Sequence, residues 1–555
     1  MRRLYAAAGF FLGFIATAVA QSPNTITSVI TNAPPASALT GVGEYLPITQ
    51  GGALHRITPS GLVSILTPQQ FGAVGDGVTD DTAAFQDALN AAAGQTLFQS
   101  NHSYFIGGNL TFPPNTTLKG PTGNVGSPNY HSAFFDFSTR PAIRLASTAT
   151  ITTSSSTTID GVLIYRAGMP FPSANSSAFA GTAITNGGDS LTVKNSMILG
   201  FAIGISSGYA AGACASPGPN GFDKGLIEDM NFDNQTNICI INSFDTWKIH
   251  AVHAWPWATF APGVPDSALT RTGANFSIAN GNDATVIRDY LAYGYATGFA
   301  FINANGQVCE NCDTDGPITV QPGSIGFSVT GTSGPITLIN PSIYLRDTGI
   351  HVNHTGGASA ILRIVGGVLA SANTTGINIA AASDGYTFID GFQMGAVNTA
   401  MEIPSTTEKV SINNTYIGTS VDPTPIHVPN PTANIFIGSN NFFGDPVTHA
   451  GRTIMSGAAR SPIVASGTSV SLPPVGQVFT VSGTATFQFI NGQWANRVIT
   501  LVFQSTATVQ NTTGGGFGTV QLNGSANYVG AAGSTLTLAA NGGTGGWFEI
   551  GRMKP

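Results

Sequence analysis

The stretch FGAVGDGVTDDTAAFQDALNAAAG, residues 71–94, decides the fold. Its only charges are four acids, Asp76, Asp80, Asp81 and Asp87. Such a cluster reads either as a cation site or as the start of a helix. Asp76-Gly77 is a turn dipeptide. Asp80 stands just before a run of helix formers, where its carboxylate can accept from the free N–H groups of the first turn. Asp81 suits the positive end of the helix dipole. Ala84, Phe85, Ala88, Leu89 and Ala92 give one apolar stripe at helical spacing, and Gly94 ends it. A calcium loop needs ligands at alternating positions and a distal glutamate, which is missing. The acids are therefore read as the capping groups of a helix.

The same residues resemble the opening motif of the pectate-lyase-like superfamily, in its rhamnogalacturonase/epimerase-like (pectate lyase 3) branch. Thr117-Leu118-Lys119-Gly120 is similar to that family's next landmark. The resemblance implies an all-β chain: a right-handed single-stranded parallel β-helix whose N-terminal end is capped by the α-helix. It implies little about chemistry, because fold does not fix function.

Only 8% of residues are charged, against about 25% in ordinary domains. The net charge is −7 and no basic run follows the first three residues, which argues against a nucleic-acid partner. A glycan suits the composition, since sugars are held by amides, hydroxyls and aromatic faces. Residues 1–20 read as an export signal: Arg2 and Arg3, an apolar run, then Ala18-Val19-Ala20 as the cleavage site. Secretion follows, with no membrane attachment after cleavage. Cys214, Cys239, Cys309 and Cys312 allow two disulfides or buried free thiols, and Cys309-x-x-Cys312 alone does not make a zinc site.

Residues 39–66, within an N-terminal segment 21–67, are similar to a module found ahead of phage tail-fibre and tailspike domains. Residues 460–555 form a separate β-rich domain with strands at 495–503 and 534–540. They resemble C-terminal modules of tailspike-like proteins, which trimerise or bind glycan. This second resemblance implies a homotrimer and a place on a virion tail. Between the two ends, residues 68–455 are assigned to the β-helix.

A repeat of apolar, polar, then Gly/Asn/Asp runs down that region. It reads Leu118-Lys119-Gly120, Ile159-Asp160-Gly161, Val193-Lys194-Asn195, Ile227-Glu228-Asp229, Ile249-His250-Ala251 and Ile287-Arg288-Asp289. Cys309-Glu310-Asn311, Ile339-Asn340-Pro341, Ile364-Val365-Gly366, Ile389-Asp390-Gly391, Ile412-Asn413-Asn414 and Ile437-Gly438 continue it. The apolar member points inward, so the next residue points out. The outward column carries Lys194, Glu228, His250, Arg288 and Glu310 in succession, either as a site or as a solvated ladder of opposite charges. Long spacings imply loops near 168–182, 206–222 and 254–282. The last opens on Trp255-Pro256-Trp257, beside His253 and Tyr293.

Two chemistries fit this face. Hydrolysis needs two carboxyls, for which Glu228, Glu310 and the equivalent pair Asp229 and Asp289 are the candidates, with Asp245, Asp313 and Asp315 nearby. The Asn-Thr-Asp and His-Gly motifs of polygalacturonase-like relatives are missing, and the chain's one Asp-Asp, Asp80-Asp81, belongs to the helix cap and not to this face. Elimination needs a base and a cation beside a uronic carboxylate, roles suited to His250 and Arg288. Lys194, His253, Trp255, Trp257 and Tyr293 are the candidate sugar contacts. No cofactor is expected, and calcium enters only if the reaction is elimination. The chain is read as a polysaccharide-degrading enzyme, hydrolase ahead of lyase. Its competitor is a non-catalytic glycan-binding or structural spike.

Overall fold

The structure is a computed structural model. It describes residues 46–50, 53–57, 65–121, 140–169, 176–208, 214, 221–260, 269–281, 285–316, 322–418, 426–429, 434–438, 441–443, 453–455, 463–472, 477–493, 497–514, 516–540 and 546–554. The expected signal segment lies outside these residues, as does most of 21–67. The chain divides into two compact units, Met1–Ile65 and Leu66–Pro555. In the first, Leu46–Gln50 pairs antiparallel with Ala53–Ile57.

The second unit holds a right-handed parallel β-helix. Each inward residue of the sequence repeat sits on its counterpart one coil away. Leu118 pairs with Ile159, Ile159 with Val193, Val193 with Ile227, Ile227 with Ile249, Ile249 with Ile287, and Ile287 with Cys309. The stack continues from Ile364 through Ile389 and Ile412 to Ile437. These side chains are buried and share one continuous core. One rung differs from the expected repeat. Cys309 pairs with Leu338 and Glu310 with Ile339, so that coil reads Leu338-Ile339-Asn340. The reason is the third position, where the chain turns a corner with positive φ. Asn195, Asp229, Ala251, Asp289, Asn311, Asn340 and Asn414 have φ of 50°, 50°, 54°, 51°, 51°, 49° and 47°. Gly, Asn and Asp tolerate that region, whereas proline is fixed near −65°. Asn340 therefore takes the corner, Pro341 follows it, and Ile339 replaces Asn340 in the outward column.

The helix spans Thr82–Ala91 and buries Phe85, Ala88 and Leu89 against the same core. Asp80 accepts from the Thr82 amide at 3.0 Å, as expected of a capping group. Asp81 has a different task from the expected one. It is buried and its carboxylate accepts from the Val74 and Gly75 amides at 2.7 and 3.0 Å, fastening the loop before the helix.

Two disulfides are formed, Cys214–Cys239 and Cys309–Cys312. The expected loop at 254–282 is shorter than its spacing suggested, because Arg271–Ala279 is a strand parallel to Tyr295–Ile302 in the third of the three sheets that each coil crosses, the first lying before the left-handed corner and the second just after it. Residues 261–268 within it lie outside the described residues, as do 170–175, 209–213 and 215–220 of the other two loops. The C-terminal strands build their own core around Phe479, Leu501, Leu536 and Trp547. There Val498–Phe503 runs antiparallel to Thr535–Ala540.

Candidate functional site

The site is built on five strands: β1 (Leu226–Asp233), β2 (Lys248–Ala254), β3 (Val286–Tyr293), β4 (Gln307–Asp315) and β5 (Ser342–Tyr344). In β1 to β4 the left-handed corner falls mid-strand, so each strand contributes a segment to the first sheet and a segment to the second.

On the first sheet, Lys194, Glu228, His250, Arg288 and Glu310 face outward as expected, and they pair. His250 Nδ1 lies 3.7 Å from Glu228 and its Nε2 lies 3.1 Å from Asp289. Arg288 Nε meets Glu310 at 2.6 Å, and Lys194 lies 4.0 Å from Asp160. Most of these side chains are well exposed. Exposed pairs of this kind are worth about 0–1 kcal/mol, so the ladder alone does not define a reaction site. Asp229 and Asp289 occupy equivalent corners two coils apart, as the sequence implied. Asp289 also accepts from Asn311 Nδ2 at 3.0 Å.

Past the corner, the second sheet presents two outward columns. Asn231, His253, Leu291, Asp313 and Ser342 are register partners in one. Tyr293, Asp315 and Tyr344 are register partners in the other. Trp255 follows β2 and packs on Tyr293, with ring centroids 4.4 Å apart. An open depression of about 330 Å³ runs across these strands, lined by residues that include His253, Asp289, Leu291, Asn311 and Asp313. It brings together Asp289, the near end of the charged ladder, and His253. Trp257 is placed otherwise than expected. It is fully buried, stacked edge-on against His253 at 4.9 Å within an apolar cluster over Leu163 and Leu199, and it offers no free face to a sugar.

The unusual electrostatics sit at Asp313 and Asp315. Burial, and then the neighbouring charge of Asp315, push Asp313 up to about 6. Burial raises Asp315 too, while Arg346 pulls it back. One oxygen of each carboxyl, Oδ1, is buried and meets no hydrogen-bond donor among the described residues. Burial pushes His253 down to about 4, so its imidazole is neutral at physiological pH. The unfolded chain takes up that proton near 6.5 and the folded one only near 4, so folding stability falls as pH drops through this window. His253→Asn is expected to flatten the fall, read as urea midpoints between pH 6.5 and 4. An unchanged slope would mean that His253 titrates normally. Asp245, by contrast, is exposed and paired with Lys224 at 3.4 Å. Among the described residues no group of three His, Cys, Asp or Glu side chains gathers as a metal site would require.

No known family profile matches the chain. It is similar to a depolymerase of Klebsiella phage K64-1 described as specific for capsule K30/K69. Identity is 24% over 263 residues, 44% of this chain and 31% of that protein. It is also similar to depolymerase 1 of Klebsiella phage K5-2, of the same capsule description, at 32% over 163 residues, 25% of this chain and 20% of that one. The chain thus spans a third or less of the length of these curated relatives. Among solved structures, the Dettilon tailspike protein gp208 aligns at 12% identity over 86% of this chain and 79% of that one, with TM-score 0.36. A family 28 exopolygalacturonase of Yersinia enterocolitica aligns at 12% over 73% and 80%, with TM-score 0.34. The parallel β-helix is the fold that residues 71–94 and the coil repeat led the sequence to expect.

Proposed function

We propose that this chain is a glycoside hydrolase that depolymerises an extracellular bacterial polysaccharide, with capsular glycans the first to test. The carrying observation is the pair Asp313 and Asp315. They lie two residues apart on one face of β4, Asp313 in the lining of the depression and Asp315 next along the strand, and Asp313 keeps its proton to about pH 6. Alternate residues of a strand are separated by about 6.6–6.8 Å. Carboxyls that leave the strand side by side at that backbone spacing match the roughly 6.5–9.5 Å between the carboxyls of inverting glycosidases, where one carboxylic acid protonates the leaving oxygen and the other carboxylate activates water. Asp313 supplies the acid and Asp315 the base. Trp255, Tyr293 and Tyr344 give a row of aromatic rings along the strand-stacking direction, on which a sugar chain can lie. His253, Asp289 and His250 contact the bound glycan from the rim. Lys194, Glu228, Asp229, Arg288 and Glu310 form the polar surface beside it. An elimination using His250 and Arg288 has less support, because Arg288 is already engaged by Glu310.

The capsule-specific phage relatives support a place outside the host cell on a virion tail, and by extension a homotrimer. Sedimentation of the full chain tests the trimer. The enzymatic reading is tested by incubation with neutral and uronic polysaccharides, including purified capsules, reading reducing ends together with absorbance of unsaturated products. New reducing ends without the absorbance are expected. Both signals together would mean a lyase. Binding without cleavage across the panel would mean an adhesive spike.

A further inference from the structure

We infer that Arg346, a residue wholly inside the protein that reaches beneath the coil of Asp315, is the positioning residue that makes the two carboxyls of β4 unequal and so sets Asp313 as the acid and Asp315 as the base. This rests on the hydrolase reading above. Arg346 begins the third-sheet strand Arg346–His354, just after Tyr344, and Tyr344 is the register partner of Asp315. Its side chain is completely buried. It does not end on its own coil. Nη1 donates to the Tyr295 carbonyl at 2.5 Å and Nη2 to the Ala292 carbonyl at 3.0 Å. Those carbonyls flank Tyr293, two coils back, and Tyr293 is the other register partner of Asp315. The guanidinium group therefore reaches past the coil of Asp315 from beneath. Two coils span about 9.6 Å, so a cation stretched across them lies under the middle one.

The charged and titratable groups around this cation are Asp313, Asp315 and Tyr293, and all three hold its charge in place. Burial pushes Arg346 down to about 10, which still leaves it charged at neutral pH. On the open side of the cleft stand Asp289 and His253, the latter neutral. Asp347, the next residue, is turned elsewhere, to the Gly323 amide and the Thr374 hydroxyl. For Asp315 the pull of Arg346 is the main force opposing burial. For Asp313 it is weaker than the contact with Ser342, and the charge of Asp315 adds to burial. Ser342 beside Asp313 and the Gly316 amide beside Asp315 hold back the effect of burial at each carboxyl, and Arg346 adds a larger pull at Asp315 than at Asp313. A cation anchored on the carbonyls either side of Tyr293, the register partner of Asp315, biases which of the two is acid and which is base. Arg346 touches no substrate in this arrangement and acts only through the pair.

The test is a pH titration of the full chain labelled at the aspartate carboxyl carbons, with Asp313→Asn and Asp315→Asn to assign the two signals. In the unaltered protein Asp315 is expected to titrate below Asp313. The reverse order would overturn the inference with no variant of Arg346 needed. In Arg346→Gln the Asp315 midpoint is expected to rise by about one pH unit or more, closing the gap. In Arg346→Lys, which keeps the charge, the order is expected to survive. An Asp315 midpoint unmoved in folded Arg346→Gln would also overturn it. The titration needs no substrate, so the two readings fail separately. Unequal carboxyls without cleavage of any glycan would sink the hydrolase. Cleavage with equal carboxyls would sink the role of Arg346.

Discussion

Asp313→Asn is expected to lower polysaccharide cleavage by about 10²- to 10⁴-fold, the usual worth of a positioned acid, and to make the protein harder to unfold at neutral pH. The two effects have one cause. The folded carboxyl holds its proton to about 6, whereas the unfolded chain releases it near 3.8. Between those values the folded state binds more protons, so the free energy of unfolding falls as pH rises and stays lower above pH 6. An asparagine of the same shape has no charge to bury and escapes that loss. The gain in urea midpoint should therefore be present at pH 7.5 and vanish below about pH 3.8. A variant destabilised at pH 7.5 would mean that the ionised Asp313 is an engaged partner, and the acid assignment would go. Asp315→Asn should lose activity to a similar degree. The separation of the pair further requires that the first-formed sugar end have inverted configuration, observable by proton NMR during cleavage. Retention would rule out Asp313 and Asp315 as the reacting pair.

The coils were legible because one physical requirement repeats. A residue that points inward must be apolar, and the residue two positions on must tolerate a left-handed corner, so Ile-x-Asn or Ile-x-Asp recurs wherever the chain completes a turn. Even the single slip, at Ile339 to Pro341, obeys the rule once the corner is known to need Asn340. Charge is the second legible feature, and it pointed to the neighbouring surface. Lys194 to Glu310 stand out in a chain with few charges, yet exposed charges that find partners do little chemistry. What distinguishes Asp313 and Asp315 is burial, together with a cation reaching in from Arg346, more than thirty residues away in the chain. No local pattern announces that contact. The alternation of Cys312 and Thr314 inward with Asp313 and Asp315 outward was the available signal, since it places both acids on one face. Trp257 was illegible for the same reason. Whether a loop tryptophan is a platform or a lid depends on what lies beneath it, here Leu163 and Leu199 from coils far back in the sequence.

Asp233→Ala should give the largest loss of stability, about 3–5 kcal/mol, because it strands a buried cation. Asp233 and Arg271 are both fully buried. Arg271 donates to Asp233 through Nε at 3.0 Å and through Nη2, and Nη2 also reaches the Thr259 hydroxyl at 2.8 Å. The Ala258 amide donates to the other carboxylate oxygen at 2.8 Å. Burial pushes the Asp233 carboxyl up and Arg271 draws it back. The pair therefore clamps the segment from Trp255 to Thr259 onto the second sheet, next to the ring pair Trp255 and Tyr293. Removing the acid leaves a guanidinium without its counter-charge, a free amide at Ala258, and the segment loose at its far end. The expected readings are a lowered urea midpoint and a shift in tryptophan emission at concentrations where the coils are still folded. Glycan binding should weaken as Trp255 leaves Tyr293. The double variant Asp233→Leu with Arg271→Met separates charge from shape. If the loss comes from the stranded cation, the pair of apolar residues restores most of the midpoint, since a buried ion pair is often no more stabilising than a well-packed apolar one. If the double variant is as unstable as Asp233→Ala, the hydrogen bonds to Ala258 and Thr259 hold the segment, and the charge itself contributes little.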